Sequence, residues 1–267
     1  MVFSYNTSSP LWGIMTKKMK PFLYNFFHEK TNDKSEGGLV NIPKDKNLWP
    51  KSWTTVFYRS FFSFKEILLP KIENDFLLNL LNRRNSRQEN VLKNKITIQK
   101  LSYLLKCGYG LQDITEENKN RREHRTVPSG GKRYPMEIYI VLFREVESLK
   151  KGIYHYNIRN HSLEPVFIKD FPKEEIISFF TEHNSWLENT NGFVCMTTVF
   201  NRTIEKYGSR GYRYILLEAG HIAQNMILSG VSSGINMIPM AGVKESFIEK
   251  ILGLGKNEER VVYGLFL

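Results

Sequence analysis

The chain has 267 residues, 41% hydrophobic and 13% aromatic, so it is globular rather than disordered and long enough to bury its core without staples, as one large domain or two small ones. Its formal net charge of +11 favours anionic partners in general: nucleotide phosphates, nucleic acid or an acidic peptide. Cys107 and Cys195 are the only cysteines, the histidines are scattered, and neither CxxC nor HExxH occurs, so no metal site is expected.

No apolar run reaches the ~18 residues of a membrane span. The first fifteen residues lack the charged-then-apolar order of a secretory signal, so a cytoplasmic protein is expected. Residues 1–16 read as irregular, 17–28 as a short helix with Pro21 in its first turns, and 29–50 as a loop. The aromatic and β-forming stretch 53–64 predicts a strand, or an arm lying on the core.

A helix is predicted over 73–81, with Phe76, Leu77, Leu80 and Leu81 on one face. Arg83, Arg84 and Arg87 follow at its C-terminus, where cations are favourable. The same segment can serve as a phosphate clamp, with guanidinium forks on the oxygens and the Ser86 hydroxyl as a further donor. A second helix is predicted over 97–107, with Thr97 as N-cap, Leu101, Leu104 and Leu105 inward, and Gly108 and Gly110 ending it. Residues 111–127 form a charged loop that leads into Pro128-Ser129-Gly130-Gly131. Two glycines there let backbone approach a flat ligand and offer it free N–H groups, although a plain turn uses the same residues.

Residues 136–143, apolar almost without alternation, predict a central strand covered on both faces. Residues 152–156 and 162–166 predict a hairpin, 173–180 a helix, and 192–200 a second buried strand that delivers the chain to Lys206-Tyr207. The long helix over 212–230 rests on apolar residues at three- and four-residue steps, with Gly230 and Gly234 as exits. An extended piece over 235–240, the pair Ala241-Gly242, a helix over 245–252 and a last strand over 260–267 complete the chain.

The start of the long helix carries Arg210 and Arg213 where the macrodipole is positive, which costs roughly 0.3–1 kcal/mol for each cation. Either an anion such as a phosphate lies nearby, or the arginines point back to a surface acid such as Glu205.

Two blocks carry a family resemblance. The stretch RTVPSGGKRYPMEIYIVLF with the following KGIYHYNIRNHSLEPV, and the stretch EKYGSRGYRYILLEAGHIAQN, resemble the McbC/SagB-type azoline dehydrogenases. These are thiazole- and oxazole-forming flavin oxidases of the nitroreductase superfamily, which mature peptides such as microcins and streptolysin-like toxins. The likeness covers residues 75–267. It implies an α+β nitroreductase-like fold, a central, mainly antiparallel sheet flanked by helices, dimeric through the long helix. Residues 71–267 would be the oxidoreductase domain and 1–70 an extension of uncertain fold. It also implies FMN at a homodimer interface. Its phosphate would lie on Arg84, Ser86 and, one residue early, Arg87, with Gln88 standing where the second basic residue is commonest. Pro128, Ser129, Gly130 and Gly131 would lie near the flavin ring, Ala241-Gly242 would cover it, and Lys206 and Tyr207 would be catalytic. The implied partners are a precursor peptide and the cyclodehydratase subunits of a synthetase complex, with no nucleic acid and no membrane.

Oxidising an azoline to an azole removes a hydride from one ring carbon and a proton from its neighbour. A flavin takes the first and a base the second. Adjacent residues on a regular helix or strand do not face the same way, so Lys206 and Tyr207 can share a site only where the backbone is irregular. Gly208 and Gly211 provide for that. Two other readings compete: a general NAD(P)H-dependent nitro or quinone reductase on the same fold, which would lack the Lys-Tyr pair, and a flavin-free basic binding module supported by the net charge.

Overall fold

The apolar runs build one six-stranded antiparallel sheet in the order β3–β2–β1–β4–β6–β5. The strands are β1 (Met136–Leu142), β2 (Gly152–Asn157), β3 (Ser162–Ile168), β4 (Gly192–Val199), β5 (Ile238–Met240) and β6 (Glu259–Phe266). The structure is a computed structural model and describes residues 22–34, 43, 45–59, 66–73, 75–113, 124–181, 186–254 and 259–267. The predicted irregular segment 1–16, the start of the helix predicted over 17–28 and part of the stretch 53–64 lie outside them. The fold is α+β, as the sequence predicts.

β1 and β4 pair from Met136–Thr198 to Leu142–Gly192 and are covered on both faces, which accounts for their unbroken apolar runs. Ile138 and Ile140 face a core shared with the helices, whereas Tyr139 and Val141 face a second core rich in phenylalanine. The helices are α1 (Phe22–Lys30), α2 (Lys51–Thr54), α3 (Phe76–Arg83), α4 (Gln88–Val91), α5 (Ile98–Tyr109), α6 (Lys173–Ile177), α7 (Asn201–Tyr207), α8 (Gly211–Ser233) and α9 (Glu245–Leu252).

Several boundaries differ from the sequence expectation, each for a local reason. α3 starts at Phe76 because the Asp75 carboxylate accepts the Leu78 N–H at 2.7 Å. α5 begins on the predicted Thr97 cap but runs through Gly108. A Cβ at Gly108 would lie 2.7 Å from Met226 Cε, so this glycine lets α5 and α8 pack closely rather than ending the helix. α8 likewise passes Gly230 and ends at Gly234, whose φ of 73° forms the left-handed cap. The helix predicted over 173–180 stops at Ile177, because Phe179 and Phe180 turn into the aromatic core.

Before residue 71, α1 docks on the main body: Tyr24 packs on Phe200 at 5.0 Å between ring centres, and His28 Nδ1 meets Tyr212 Oη at 3.3 Å. Burial and then Arg260 depress the His28 pKa to about 4, so its ring is neutral. Within the stretch 53–64, α2 ends at Thr54 and 55–59 has no regular structure. Among the described residues, no helix is long and apolar enough to cross a membrane.

Candidate active site

β4 ends at Val199 and the chain turns through Phe200 into α7. That helix stops after Lys206 and Tyr207 because Gly208 adopts φ 57° and ψ −154°, a conformation other residues resist. A single tight turn, Gly208–Arg210, then redirects the chain into α8. Tyr207 itself, at φ −117° and ψ 3°, has left helical geometry. This break lets two adjacent side chains enter one site. A Cβ built at Gly131 would overlap Tyr207 Oη and lie 2.6 Å from Lys206 Nζ. The Lys206 ammonium also stands 5.3 Å from the centre of the Tyr207 ring. The structure thus joins the Lys-Tyr pair to the Pro-Ser-Gly-Gly turn.

The turn is held in an unusual shape. Gly131, Lys132 and Tyr134 have φ of 62°, 58° and 46°. Left-handed backbone at a non-glycine residue costs on the order of 1–3 kcal/mol and persists only where its surroundings enforce it. The long helix does so. Gly130 rests on Tyr214, where a built Cβ would meet the tyrosine Cβ at 3.5 Å. Ser129 Oγ accepts the Tyr134 N–H at 2.8 Å, and its hydroxyl donates to the Glu218 carboxylate. Tyr109 Oη donates to Glu218 Oε1 at 3.1 Å, and Asn225 Nδ2 to the Thr126 carbonyl at 3.3 Å. Tyr214, Glu218 and Asn225 lie on one face of α8, so a single stripe of the helix carries the loop.

Glu218 is only 2% exposed. Burial raises its pKa, opposed by Ser129, Tyr109 and the nearby Arg125. Burial also pushes the Tyr109 phenol well up, so it stays a donor. The Arg125 guanidinium stacks between Tyr109 and Tyr134, at 4.2 and 4.7 Å from their ring centres. These supporting roles escape the sequence reading, which places Glu218 and Asn225 in the second block without a function. The signal in the sequence was weak: Glu218 is the first acid inside a long, mostly apolar helix.

A second tether fixes α7. Arg133 Nε donates to the Arg202 carbonyl, and Arg202 Nη1 pairs with Glu137 Oε1 on β1. Glu137 Oε2 lies 3.0 Å from His155, whose other ring nitrogen lies 3.1 Å from Glu164. The hydrogen bond to Glu137 raises the His155 pKa against its burial.

The remaining predicted site residues fall at different places. Arg210 Nε donates to Tyr214 Oη at 3.3 Å, and the Tyr214 ring sits edge-on to Tyr207 at 5.0 Å, so Arg210 borders the cluster. Arg213 is exposed on the first turn of α8, and among the described residues neither arginine pairs with Glu205 or another acid. Pro128 is exposed at the mouth of the turn. Arg84 Nη1 and Ser86 Oγ meet at 3.3 Å, and both are exposed, as is Arg87 at the start of α4. Ala241 and Gly242 follow β5 at the sheet edge, where the Gly242 carbonyl accepts the Thr181 N–H at 2.8 Å. β5 is three strands from β1, roughly 14 Å at the usual strand spacing of about 4.8 Å. Within one chain, the structure does not bring Ala241-Gly242 to the Gly131 cluster.

A family model for the nitroreductase family matches residues 80–267. The chain belongs to the nitroreductase family. This superfamily generally binds flavin. This nitroreductase-family chain is 30% identical over 187 residues, 70% of its length, to MJ1384 of Methanocaldococcus jannaschii, named as a nitroreductase, and covers 89% of that protein. It is 30% identical to the trifolitoxin-processing protein TfxB of Rhizobium leguminosarum bv. trifolii over 61% of this chain and 44% of TfxB. It is 28% identical to the microcin B17-processing protein McbC of Escherichia coli over 62% of this chain and 59% of McbC. The match therefore spans less than two thirds of either processing protein. In fold, the chain is similar to a chain of the E. coli microcin synthetase McbBCD complex with truncated pro-MccB17 bound, at a TM-score of 0.65, 20% identity, and coverage of 96% of this chain and 90% of that one.

Proposed function

We propose that the chain is an FMN-dependent azoline dehydrogenase that oxidises thiazoline or oxazoline rings to thiazoles or oxazoles in a ribosomally made peptide. The observation that carries this reading is the convergence of Lys206 and Tyr207 on Gly131. Two relatives named for processing a toxin and a microcin support the peptide substrate.

The residues present suit a flavin. Gly131 lets the Tyr207 hydroxyl and the Lys206 ammonium close on the backbone of the turn, and Arg125 Nη1 is a buried donor without a hydrogen-bond partner. Ser129, Gly130 and Gly131 would hold the ring, and Arg84 with Ser86, or Arg210 with Arg213, the phosphate. When bound, FMN supplies the hydride acceptor. The chain does the rest. Tyr207, as the phenolate held beside the Lys206 ammonium, would take the proton from the neighbouring ring carbon at Oη and become the neutral phenol. The tether from Arg202 to Glu137 keeps α7, and with it both side chains, over the turn. We further propose that two copies complete the site, since no hydrogen bond within one chain joins Arg84–Ser86 or Ala241-Gly242 to the Gly131 cluster among the described residues. The cyclodehydratase that makes the azolines would be a partner in the cytoplasm.

The likeness to MJ1384, which covers most of that protein, favours a second reading: a general NAD(P)H-dependent nitro or quinone reductase. Purified protein given a pre-cyclised azoline peptide separates the two. Loss of a hydrogen pair per ring by mass spectrometry supports the dehydrogenase, and NADPH-driven nitro reduction with no azole formed supports the reductase.

A further inference from the structure

Two described segments ahead of α3 hold much of the molecule's exposed apolar surface. Residues 55–59 and 66–73 have no regular secondary structure, and Ile67, Leu68, Leu69 and Ile72 are 83–87% exposed. Val56, Phe57 and Tyr58 stand out in the same way. Exposed apolar side chains grouped in this way mark an interaction surface. Covering each such side chain is worth roughly 1.5–3 kcal/mol.

The run leads into α3, where Phe76, Leu77 and Leu81 are also exposed. α3 buries Leu80 and packs on α8, which turns Leu216 and Leu217 outward. On the same helix, nothing lies within 4 Å of a Cβ built at Gly220. A glycine inside a helix costs about 1 kcal/mol relative to alanine, and no packing within the chain repays it.

We infer that the segments 55–59 and 66–73 form an arm that crosses onto the α3–α8 face of a second copy of this chain. The inference rests on the homodimer proposed above and goes beyond it, because it gives the N-terminal extension a place in that dimer. A second copy fits because arm and face adjoin on one chain. In a two-fold pair each arm leaves its own α3 beside the partner's α8, and the same contact forms twice. The twelve exposed apolar side chains of arm and face offer on the order of 1,000 Å² per chain, about what one partner contributes to a stable interface.

Photo-cross-linking tests this directly on the full chain. Leu68→p-benzoylphenylalanine protein is prepared with light and with heavy nitrogen, mixed to exchange subunits, irradiated and digested. Mixed light–heavy peptides joining the arm to α3 or α8 are expected. In parallel, the Leu68→Asp/Leu69→Asp double variant should weaken the dimer at least tenfold by light scattering. Cross-links confined to single chains overturn the arm. A monomeric wild-type protein overturns the arm and the homodimer together. A dimer unchanged by the double variant and free of arm cross-links overturns the arm alone.

Discussion

Tyr207 Oη occupies the space into which a Cβ at Gly131 would project. A side chain at residue 131 therefore competes with the proposed base, and at φ 62° it also strains the backbone. Gly131→Ala should stay folded, lose a few degrees in Tm, and form azole at least ~10-fold more slowly. Gly130→Ala is the control for the fold alone. Its Cβ would make ordinary contact with Tyr214 at 3.5 Å, so a Tm close to wild type is expected. Thermal melts check both variants, and initial rates on an azoline peptide check Gly131→Ala. A wild-type rate in Gly131→Ala would mean that the space at Gly131 is not part of the site.

Glu218 holds the turn from below. Glu218→Ala leaves the buried Tyr109 hydroxyl without its acceptor, at about 1–3 kcal/mol, and removes the carboxylate beside Ser129. FMN affinity should fall with stability as the turn loosens. Glu218→Gln keeps an acceptor oxygen and should restore most of both. FMN titration by fluorescence and thermal melts distinguish the two variants. Equal behaviour of Ala and Gln would show that the hydrogen bonds do not hold the turn.

The parts legible in the sequence were those written in local pattern. Unbroken apolar runs gave β1 and β4, and Thr97 marked the start of α5. Gly208 announced the irregular backbone that lets Lys206 and Tyr207 share a site. What stayed hidden depended on partners far along the chain. Gly108 looks like a helix stop until Met226 is seen packed on it. Glu218 looks like a solvent-facing acid until Ser129 and Tyr109 surround it. Aspartate 33 gives no sign that it caps a helix more than two hundred residues away.

Two arginine sites compete for the FMN phosphate. Arg84 and Ser86 already converge at 3.3 Å, whereas Arg210 is engaged with the Tyr214 hydroxyl. Arg84→Ala should weaken FMN binding by roughly 10- to 100-fold, since a charge-assisted hydrogen bond is worth about 1.5–3 kcal/mol. Fluorescence titration of apoprotein with FMN measures it. Unchanged affinity in Arg84→Ala together with a loss in Arg210→Ala or Arg213→Ala would move the phosphate to the start of α8.

Asp33 and Glu245 make stability depend on pH. Asp33 Oδ1 accepts the Ser246 N–H at 3.0 Å, and its own N–H donates to Glu245 Oε2 at 3.3 Å. Burial first, and then the Asp33 carboxylate, push the Glu245 pKa from its ordinary 4.5 to about 7. Between those values the folded chain holds a proton that the unfolded chain has released. Stability therefore falls as pH rises through this window, and the loss is complete above it. Glu245→Gln keeps an acceptor for Asp33 and removes the charge. It should raise Tm by a few degrees at about pH 8 and by almost nothing at about pH 4.5. A Tm gain of the same size at both values would rule out titration of Glu245 as the cause.

Lys206 and Tyr207 should be needed for chemistry but not for flavin binding. Hydride and proton leave neighbouring ring carbons for different acceptors, and these two side chains are the groups that meet at Gly131. Tyr207→Phe removes one hydroxyl and keeps the ring that packs on Tyr214 at 5.0 Å, so fold and FMN content should survive. Its azole formation should fall by ~10²-fold or more if Tyr207 takes the proton. Lys206→Ala should act similarly, because the lysine either takes the proton itself as the neutral amine or, as the ammonium, stabilises the phenolate that does. If the pair acts as one unit, the double variant should be little worse than the worse single one. The assay follows loss of a hydrogen pair per ring on a pre-cyclised azoline peptide, with FMN content measured in the same samples. Near wild-type rates in both single variants would remove the pair from the mechanism. FMN lost in step with activity would make them structural supports of the Gly131 turn, since their tips are what that turn rests against.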